Sequence, residues 1–96
     1  MYLVIFKAIV NSLDDDYSTM AQQLRDLAIN SYNCVEFNAV TEGSNEIALS
    51  YWHSLEDIKQ WKQDKLHLKA QELGKAKWYR DYSVEITQVL RSYKSI

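Results

Sequence analysis

The sequence YWHSLEDIKQWKQDKLHLKAQ, at residues 51–71, decides the fold because it takes the chain from a strand into a broken helix. Ser54 followed by Asp57 fits the pattern of a helix N-cap. Apolar residues then recur at helical spacing, namely Leu55, Ile58, Trp61, Leu66, Ala70 and Leu73. The phase of this stripe slips near residues 63–64, so we expect a kink there and a second helical piece that ends by Gly74.

Two apolar runs precede this segment and flank a turn. The first run covers residues 34–40, and the second covers residues 47–52. The sequence EGSN at residues 42–45 has strong turn chemistry, so the two runs predict an antiparallel hairpin. Alternation along its second strand places Ile47, Leu49 and Tyr51 on one face and Ala48, Ser50 and Trp52 on the other. We expect both faces to be at least partly buried.

The rest of the chain completes an alternation of strands and helices. Residues 2–10 are rich in Val, Ile and Phe and predict the first strand, and the alternating residues 78–90 predict the last one. Three aspartates at residues 14–16 suit the first turn of an intervening helix. Its apolar stripe consists of Tyr17, Met20, Ala21, Leu24, Leu27 and Ala28. The order βαββαβ predicts an α+β, ferredoxin-like fold, with an antiparallel sheet and both helices on one side.

The predicted sheet has apolar side chains on both faces, although its helices cover only one. The chain of 96 residues is expected to form a single domain, residues 1–96, which is near the lower size limit for a self-sufficient core. Burial of the second face therefore favours a homodimer in which two sheets pack together.

The charge and hydropathy patterns argue against nucleic-acid and membrane partners. Eleven basic residues stand against thirteen acidic ones, for a net charge of −2. Seven of the basic residues fall within residues 59–80, but acidic residues are interspersed among them, which is typical of a solvated face. The apolar run at residues 2–10 is too short to cross a bilayer. We expect a cytoplasmic protein.

No metal centre is expected from the cysteine and histidine pattern. The single cysteine, Cys34, permits neither an intrachain disulfide nor a multi-cysteine metal site. His53 and His67 lack the spacing of a metal-binding pair. Cys34 is instead predicted to be a small buried hydrophobic residue, and His53 to lie on the surface.

Two motifs carry a resemblance to a known family. The patterns YW…WK.D..H..AQ..G, from residue 51, and WY..Y..E, from residue 78, resemble the antibiotic biosynthesis monooxygenase family, whose members form dimeric α+β barrels. The resemblance also takes in VIFKA in the first strand and EG…IA.SYW in the hairpin. It implies a pocket on the helix side of the sheet, lined by Trp61 and by the first, third and fourth strands.

The resemblance further implies an activity that needs no cofactor. Quinol oxygenases of this family bind an electron-rich polycyclic phenol, remove a proton and let the anion reduce dioxygen directly. In this sequence Trp61 would contact the substrate, His67 would accept a proton and Lys7 would stabilise the oxyanion. Further contacts to the aromatic substrate would come from Tyr51, Trp52, Gln71 and Tyr79.

Alternative interpretations of these residues remain open. Trp61 is in phase with the apolar stripe and fits a core residue, and His67 fits a structural histidine at the edge of that stripe. Lys7 fits an ion pair with Glu36 or Glu85. The corresponding alternative function is a non-catalytic small-ligand-binding or stress-associated dimer.

Haem degradation is the third hypothesis and the least favoured. Haem-degrading members of the superfamily use an Asn late in the first strand, a Trp in the second helix and an axial His about ten residues later. The resemblance places Lys7, Trp61 and Gln71 at these positions, so only the Trp is retained. The amide of Gln71 is a poor substitute for an imidazole on haem iron.

Overall fold

A computed structural model describes residues 1–95 of the chain. The strands are β1 (Tyr2–Val10), β2 (Glu36–Glu42), β3 (Asn45–Trp52) and β4 (Tyr79–Gln88). The helices are α1 (Asp15–Ser31), α2 (Leu55–Gln63) and α3 (Lys65–Leu73), and α3 runs into a π-helical turn, the π turn (Gly74–Trp78). The predicted order βαββαβ is confirmed, with the second helix in two pieces.

The four strands form one antiparallel sheet in the order β2-β3-β1-β4. Strand β1 pairs with two neighbours, so Val4 of β1 lies opposite Ser50 of β3 at one edge and opposite Ile86 of β4 at the other edge. The hairpin between β2 and β3 turns at Gly43, whose φ of 60° is in the left-handed region that glycine tolerates without strain. This is the predicted ferredoxin-like α+β fold.

The two faces of the sheet differ in what covers them. The helix face carries the buried side chains of β1 and β3, namely Val4, Ala8, Glu46, Ser50 and Trp52. The opposite face, which we call the open face, carries the alternate residues, including Ile9 and Ile47, which are both exposed. Strand alternation therefore places Ala48, Ser50 and Trp52 together, as predicted.

The ends of α1 are fixed by local hydrogen bonds. The Asp14 side chain caps the helix by accepting from the Tyr17 backbone N–H at 2.8 Å, and the two aspartates that follow it lie in the first turn, as predicted. At the other end Asn33 has a φ of 63°, and the next amide, that of Cys34, donates to the Ala28 carbonyl at 3.0 Å. The Ala28 carbonyl also accepts from the Tyr32 N–H at 3.2 Å, so one carbonyl of the last turn holds two amides at the end of the helix.

The predicted break in the second helix lies at Asp64. Its backbone is extended, with ψ of 142°, and its side chain caps α3 by accepting from the Leu66 N–H at 2.8 Å. The Tyr32 hydroxyl donates to the same carboxylate at 2.7 Å, tying the break to the end of α1. At the start of α2, the predicted cap is confirmed, since Ser54 Oγ accepts from the Asp57 N–H at 3.0 Å.

The α-helix α3 ends at Leu73, as the prediction of an end by Gly74 required. The chain does not leave the helical conformation there, because the backbone of Gly74 has φ of −59° and continues through the π turn to Trp78. Trp78 is therefore not part of the last strand, which ends at Gln88 rather than at residue 90. A Cβ on Gly74 would lie 2.8 Å from the Tyr79 ring, so glycine serves close packing at this position and not a left-handed helix cap.

The core forms two clusters around buried tryptophans. One contains Trp52 and Trp61, and the other contains Trp78 with Tyr17 and Met20. Trp52 and Trp78 are almost fully buried, and replacing such a side chain by Ala typically costs about 3–5 kcal/mol. None of the helices within residues 1–95 has the length and hydropathy needed to cross a membrane.

Candidate functional site

A cavity of about 420 Å³ lies between the helix face of the sheet and the helices. Helix α1 and the pieces α2 and α3 supply one wall, and all four strands supply the other. The Phe, Trp and Tyr residues that line it are Phe6, Tyr17, Phe37, Trp61, Trp78, Tyr79 and Tyr82. A cavity of this size and composition suits a small aromatic ligand, because planar rings bind well between aromatic side chains.

Trp61 and His67 form one part of the cavity wall, on either side of the helix break. Their rings meet edge to face, with centroids 4.4 Å apart, and Trp61 also packs against Trp52 at 5.2 Å. The Trp61 indole N–H donates to the Leu24 carbonyl at 3.3 Å. Trp61 is therefore fixed by the core while one edge of its ring lines the cavity.

His67 is held as a neutral ring. Burial, with help from the positive charge of Lys62, lowers its pKa to about 4, although the nearby Asp64 carboxylate opposes that shift. The Gln71 side-chain nitrogen lies 3.4 Å from His67 Nδ1. An amide nitrogen donates, so this contact favours the tautomer in which Nδ1 accepts and Nε2 carries the ring proton. At neutral pH His67 is thus a hydrogen-bond donor and a weaker base than its sequence context suggested.

Three polar side chains of the cavity, those of Tyr17, Glu46 and Tyr79, are linked by hydrogen bonds. The Tyr17 hydroxyl donates to Glu46 Oε2, and the Tyr79 hydroxyl donates to the Tyr17 oxygen at 3.4 Å. Burial raises the pKa of Tyr79 to about 12 and also raises the pKa of Tyr17. Both phenols therefore stay protonated at neutral pH and act as donors.

Two cationic side chains also line the cavity. Arg25 comes from α1 and is exposed, and Lys62 comes from α2 and is half-buried. The ion pairs found within residues 1–95 join Lys77 to Asp14 and Asp16, so neither Arg25 nor Lys62 is neutralised by one of them. Both side chains therefore offer positive charge to the cavity while remaining in contact with solvent.

The structure brings together four of the seven residues that the sequence singled out. Trp61, His67, Gln71 and Tyr79 all line the one cavity. Trp52 does not; it is completely buried behind Trp61 and donates its indole N–H to Ser50 Oγ at 2.8 Å. Trp52 supports the cavity wall and is not placed to touch a ligand.

Lys7 and Tyr51 lie outside the cavity. Strand alternation puts Lys7 on the open face, opposite Ile47 and Ser83, because its neighbours Phe6 and Ala8 face the helices. Tyr51 is on the same open face. The ion pair of Lys7 with a strand glutamate, considered from the sequence, is not found within the described residues.

The sequence analysis missed Tyr17 as a site residue and Glu46 altogether. Their contact joins positions 29 residues apart, which periodicity within one element does not reveal. One signal was present: counting back by twos from Trp52 along β3 reaches Glu46, a carboxylate on the buried face. A charged residue at such a position requires a partner or a function.

No metal site is formed by the residues that the structure describes, since nowhere do three His, Cys, Asp or Glu side chains converge. Cys34 is buried, as expected, and burial raises the pKa of its thiol. His53 is exposed, as expected. Gln71 lines the cavity at the place where the resemblance puts an axial haem ligand, and it presents an amide there.

Comparison with known structures places the fold among oxygenases and proteins of unknown function. SnoaB of Streptomyces nogalater, described as a cofactor-independent oxygenase, matches with a TM-score of 0.81 over 98% of this chain and 97% of its own, at 7% identity. A Deinococcus radiodurans protein described as a putative antibiotic biosynthesis monooxygenase matches with a TM-score of 0.72 over 100% of this chain and 99% of its own, at 10% identity. A conserved Methanosarcina mazei protein matches with a TM-score of 0.77 over 91% of this chain and 90% of its own, at 12% identity.

Sequence comparison identifies a nearer relative. No established family model matches the chain. The protein YqjZ of Bacillus subtilis, itself uncharacterised, is 31% identical over 91 residues, which cover 94% of this chain and 80% of YqjZ. The chain therefore belongs to the family of YqjZ, and its fold is that of the antibiotic biosynthesis monooxygenases.

Proposed function

We propose that the chain is a cofactor-independent oxygenase that oxidises a flat, electron-rich phenol or quinol with dioxygen. The observation that carries this proposal is the cavity of about 420 Å³, which has aromatic walls and polar groups at only a few points. Such a site holds a planar ring by stacking and orients its hydroxyl groups by hydrogen bonds. The shared fold with SnoaB, described as a cofactor-independent oxygenase, supports the same activity.

The proposed reaction balances without an external reductant. The substrate loses two hydrogen atoms and gains one oxygen atom, and the second atom of dioxygen leaves as water. All four electrons that reduce dioxygen come from the substrate, which first loses a proton and becomes an electron-rich anion. The protein contributes by orienting the ring, favouring the anion and limiting the access of water.

In this proposal the residues that line the cavity have different roles. Trp61 and Tyr79 stack on or flank the ring, and Gln71 fixes the tautomer of His67. The His67 Nε2–H is then the donor available to stabilise negative charge on a substrate oxygen. Lys7 takes no part, because it lies on the open face.

The test is oxygen uptake by the metal-free protein with a panel of hydroquinones and hydroxylated anthrones, in the presence of superoxide dismutase and catalase. We expect uptake well above the buffer rate, an oxygenated product, and a loss of about tenfold or more in Trp61→Phe and His67→Ala. The matched control is His53→Ala, which removes an exposed histidine outside the cavity and should retain full activity.

The contrary outcome separates the alternatives. A ligand that binds and quenches tryptophan fluorescence while oxygen uptake stays at the buffer rate would establish a non-catalytic binding protein of the same fold. In that case haem titration is the next measurement, because His67 is an imidazole inside the cavity.

We further propose that the chain forms a homodimer through the open face. Apolar side chains are exposed there, including Ile9 at 37%, Ile47 at 38% and Val40 at 67%. Contiguous apolar surface on a sheet is normally covered, and sheet-on-sheet packing covers it in one step. Sedimentation equilibrium of the wild-type protein should give twice the mass of one chain. Ile47→Asp, which puts a charge on the open face, should give monomers. The control is Leu68→Asp, on the exposed side of α3, which should leave the dimer mass unchanged.

A further inference from the structure

Glu46 is a cavity residue whose carboxylate has no role in the proposal above. It comes from β3 on the helix face, is only 8% exposed and lines the cavity. Removing a carboxylate from water costs several kcal/mol unless partners compensate, so its place in a largely apolar wall calls for an explanation.

The partners of Glu46 are neutral phenols. Within residues 1–95 no lysine, arginine or histidine forms an ion pair with it. Its Oε2 accepts from the Tyr17 hydroxyl, which in turn accepts from Tyr79 at 3.4 Å. These two phenols, from α1 and β4, are the titratable groups that face the carboxylate, and neither of them neutralises its charge.

One carboxylate oxygen of Glu46 remains available. The Tyr17 bond engages Oε2 only. Among the described residues, no side-chain oxygen or nitrogen sealed from solvent lacks a hydrogen-bond partner, so Oε1 is accessible to solvent, and Glu46 lines the cavity. A ligand hydroxyl that enters the cavity meets an acceptor whose geometry is already fixed through the other oxygen.

We propose that Glu46 is the general base of the oxygenase, and that Tyr17 is a positioning residue that orients its carboxylate. This assignment rests on the proposed function and deepens it. In the step, the substrate O–H or activated C–H bond breaks, a bond forms between the proton and Glu46 Oε1, and the electron pair stays on the substrate as its anion. Nothing is oxidised until that anion meets dioxygen, and the proton later leaves with the oxygen atom released as water.

The position of His67 supports the division of roles. His67 contacts Trp61 and Gln71 and is a neutral ring, and a neutral imidazole carries one N–H that can donate to a substrate oxygen. Glu46, which accepts from Tyr17, is an acceptor. An acceptor and a donor in one cavity give the two functions that deprotonation and stabilisation of the anion require.

The test removes dioxygen, so that deprotonation is observed alone. Dithranol, a hydroxylated anthrone, is added under argon at neutral pH, where its neutral and anionic forms have different absorbance spectra. Wild-type protein should bind dithranol and convert it to the anion. Glu46→Gln, which keeps the shape of the side chain, should bind it with similar affinity and leave it neutral, and aerobic turnover should fall about a hundredfold or more.

The control is Glu42→Gln, the same change at the exposed end of β2, which should ionise dithranol as the wild type does. Tyr17→Phe should retain binding but slow the ionisation, and Glu46→Asp should restore part of it. If Glu46→Gln does not fold, infrared difference spectroscopy of the wild-type complex decides, because proton transfer to Glu46 must create a protonated-carboxyl band.

Two failures are distinguishable. Ionisation that persists in folded Glu46→Gln, or a wild-type complex in which dithranol stays neutral without a carboxyl band, overturns the assignment of Glu46. Ionisation that depends on Glu46 but leads to no oxygen consumption in air upholds the base and contradicts the oxygenase proposal. A protein that does not bind dithranol contradicts both.

Discussion

The indole of Trp61 and the imidazole of His67 meet edge to face, 4.4 Å apart, across the break between α2 and α3. The break makes this contact possible, because Asp64 ends one helix and caps the next, and so sets the angle at which His67 approaches. The contact joins the wall of the cavity to the core around Trp52.

The depressed pKa of His67 predicts a pH-dependent stability. Unfolded His67 binds a proton near pH 6.5, but folded His67 binds one only near pH 4, so the unfolded state takes up more protons between these values. The contribution of His67 to the free energy of unfolding is complete above pH 6.5 and falls as the pH decreases towards 4, by about 3 kcal/mol at most.

Urea unfolding of wild type and His67→Gln at a series of pH values tests this prediction. The groups around the ring are Lys62 and Asp64, and both remain in the variant. The stability difference, wild type minus variant, should decrease steadily between pH 6.5 and 4. A difference that is constant with pH would show that the ring is not protected from protonation; His53→Gln is the control for loss of a histidine.

Asp64→Ala should destabilise the helix break. The substitution removes the cap on the Leu66 N–H and the bond from the Tyr32 hydroxyl, and loss of a cap alone typically costs about 1 kcal/mol. Chemical denaturation of Asp64→Ala, beside Asp81→Ala on β4, measures the cost. Equal stability of the two variants would mean that the break does not depend on Asp64.

Ser50→Ala should be costly although it removes a single oxygen atom. The Trp52 indole N–H donates to Ser50 Oγ at 2.8 Å, and both residues are buried, so the substitution leaves a donor without a partner. An unsatisfied buried donor costs about 1–3 kcal/mol. The exposed Ser44→Ala is the matched control, and a loss no larger than that of the control would contradict the prediction.

Gly74→Ala should displace the ring of Tyr79. The added Cβ would lie 2.8 Å from two ring carbons, and overpacking of this kind costs about 1–3 kcal/mol. A double-mutant cycle identifies the cause: in a Tyr79→Ala background the Gly74→Ala change should cost almost nothing. An equal cost in both backgrounds would show that the strain lies elsewhere in the π turn.

Much of the fold follows from local patterns in the sequence. Alternation gives the strands and their faces, and the Gly43 turn gives the hairpin. The slip in the apolar stripe locates the break at Asp64 to within a residue. These features depend on residues that are close in the sequence, so one sequence is enough to predict them.

The rest of the site depends on contacts between distant residues. Glu46 gains its partner from α1, and Gly74 is glycine because the Tyr79 ring lies on it, not because the helix end needs a left-handed residue. The family resemblance suggested Lys7 as a site residue, but alternation from Phe6 puts it on the open face. Resemblance suggested a pocket, and only packing shows which side chains line it.

Turnover of dithranol under isotopically labelled dioxygen tests the central claim most directly. Mass spectrometry of the product should show one labelled oxygen atom per molecule, with wild-type protein and without any added cofactor, and Trp61→Phe should form that product more slowly. A product without label, or labelled product formed equally fast in buffer alone, would contradict the account of the cavity as the site of an oxygenase.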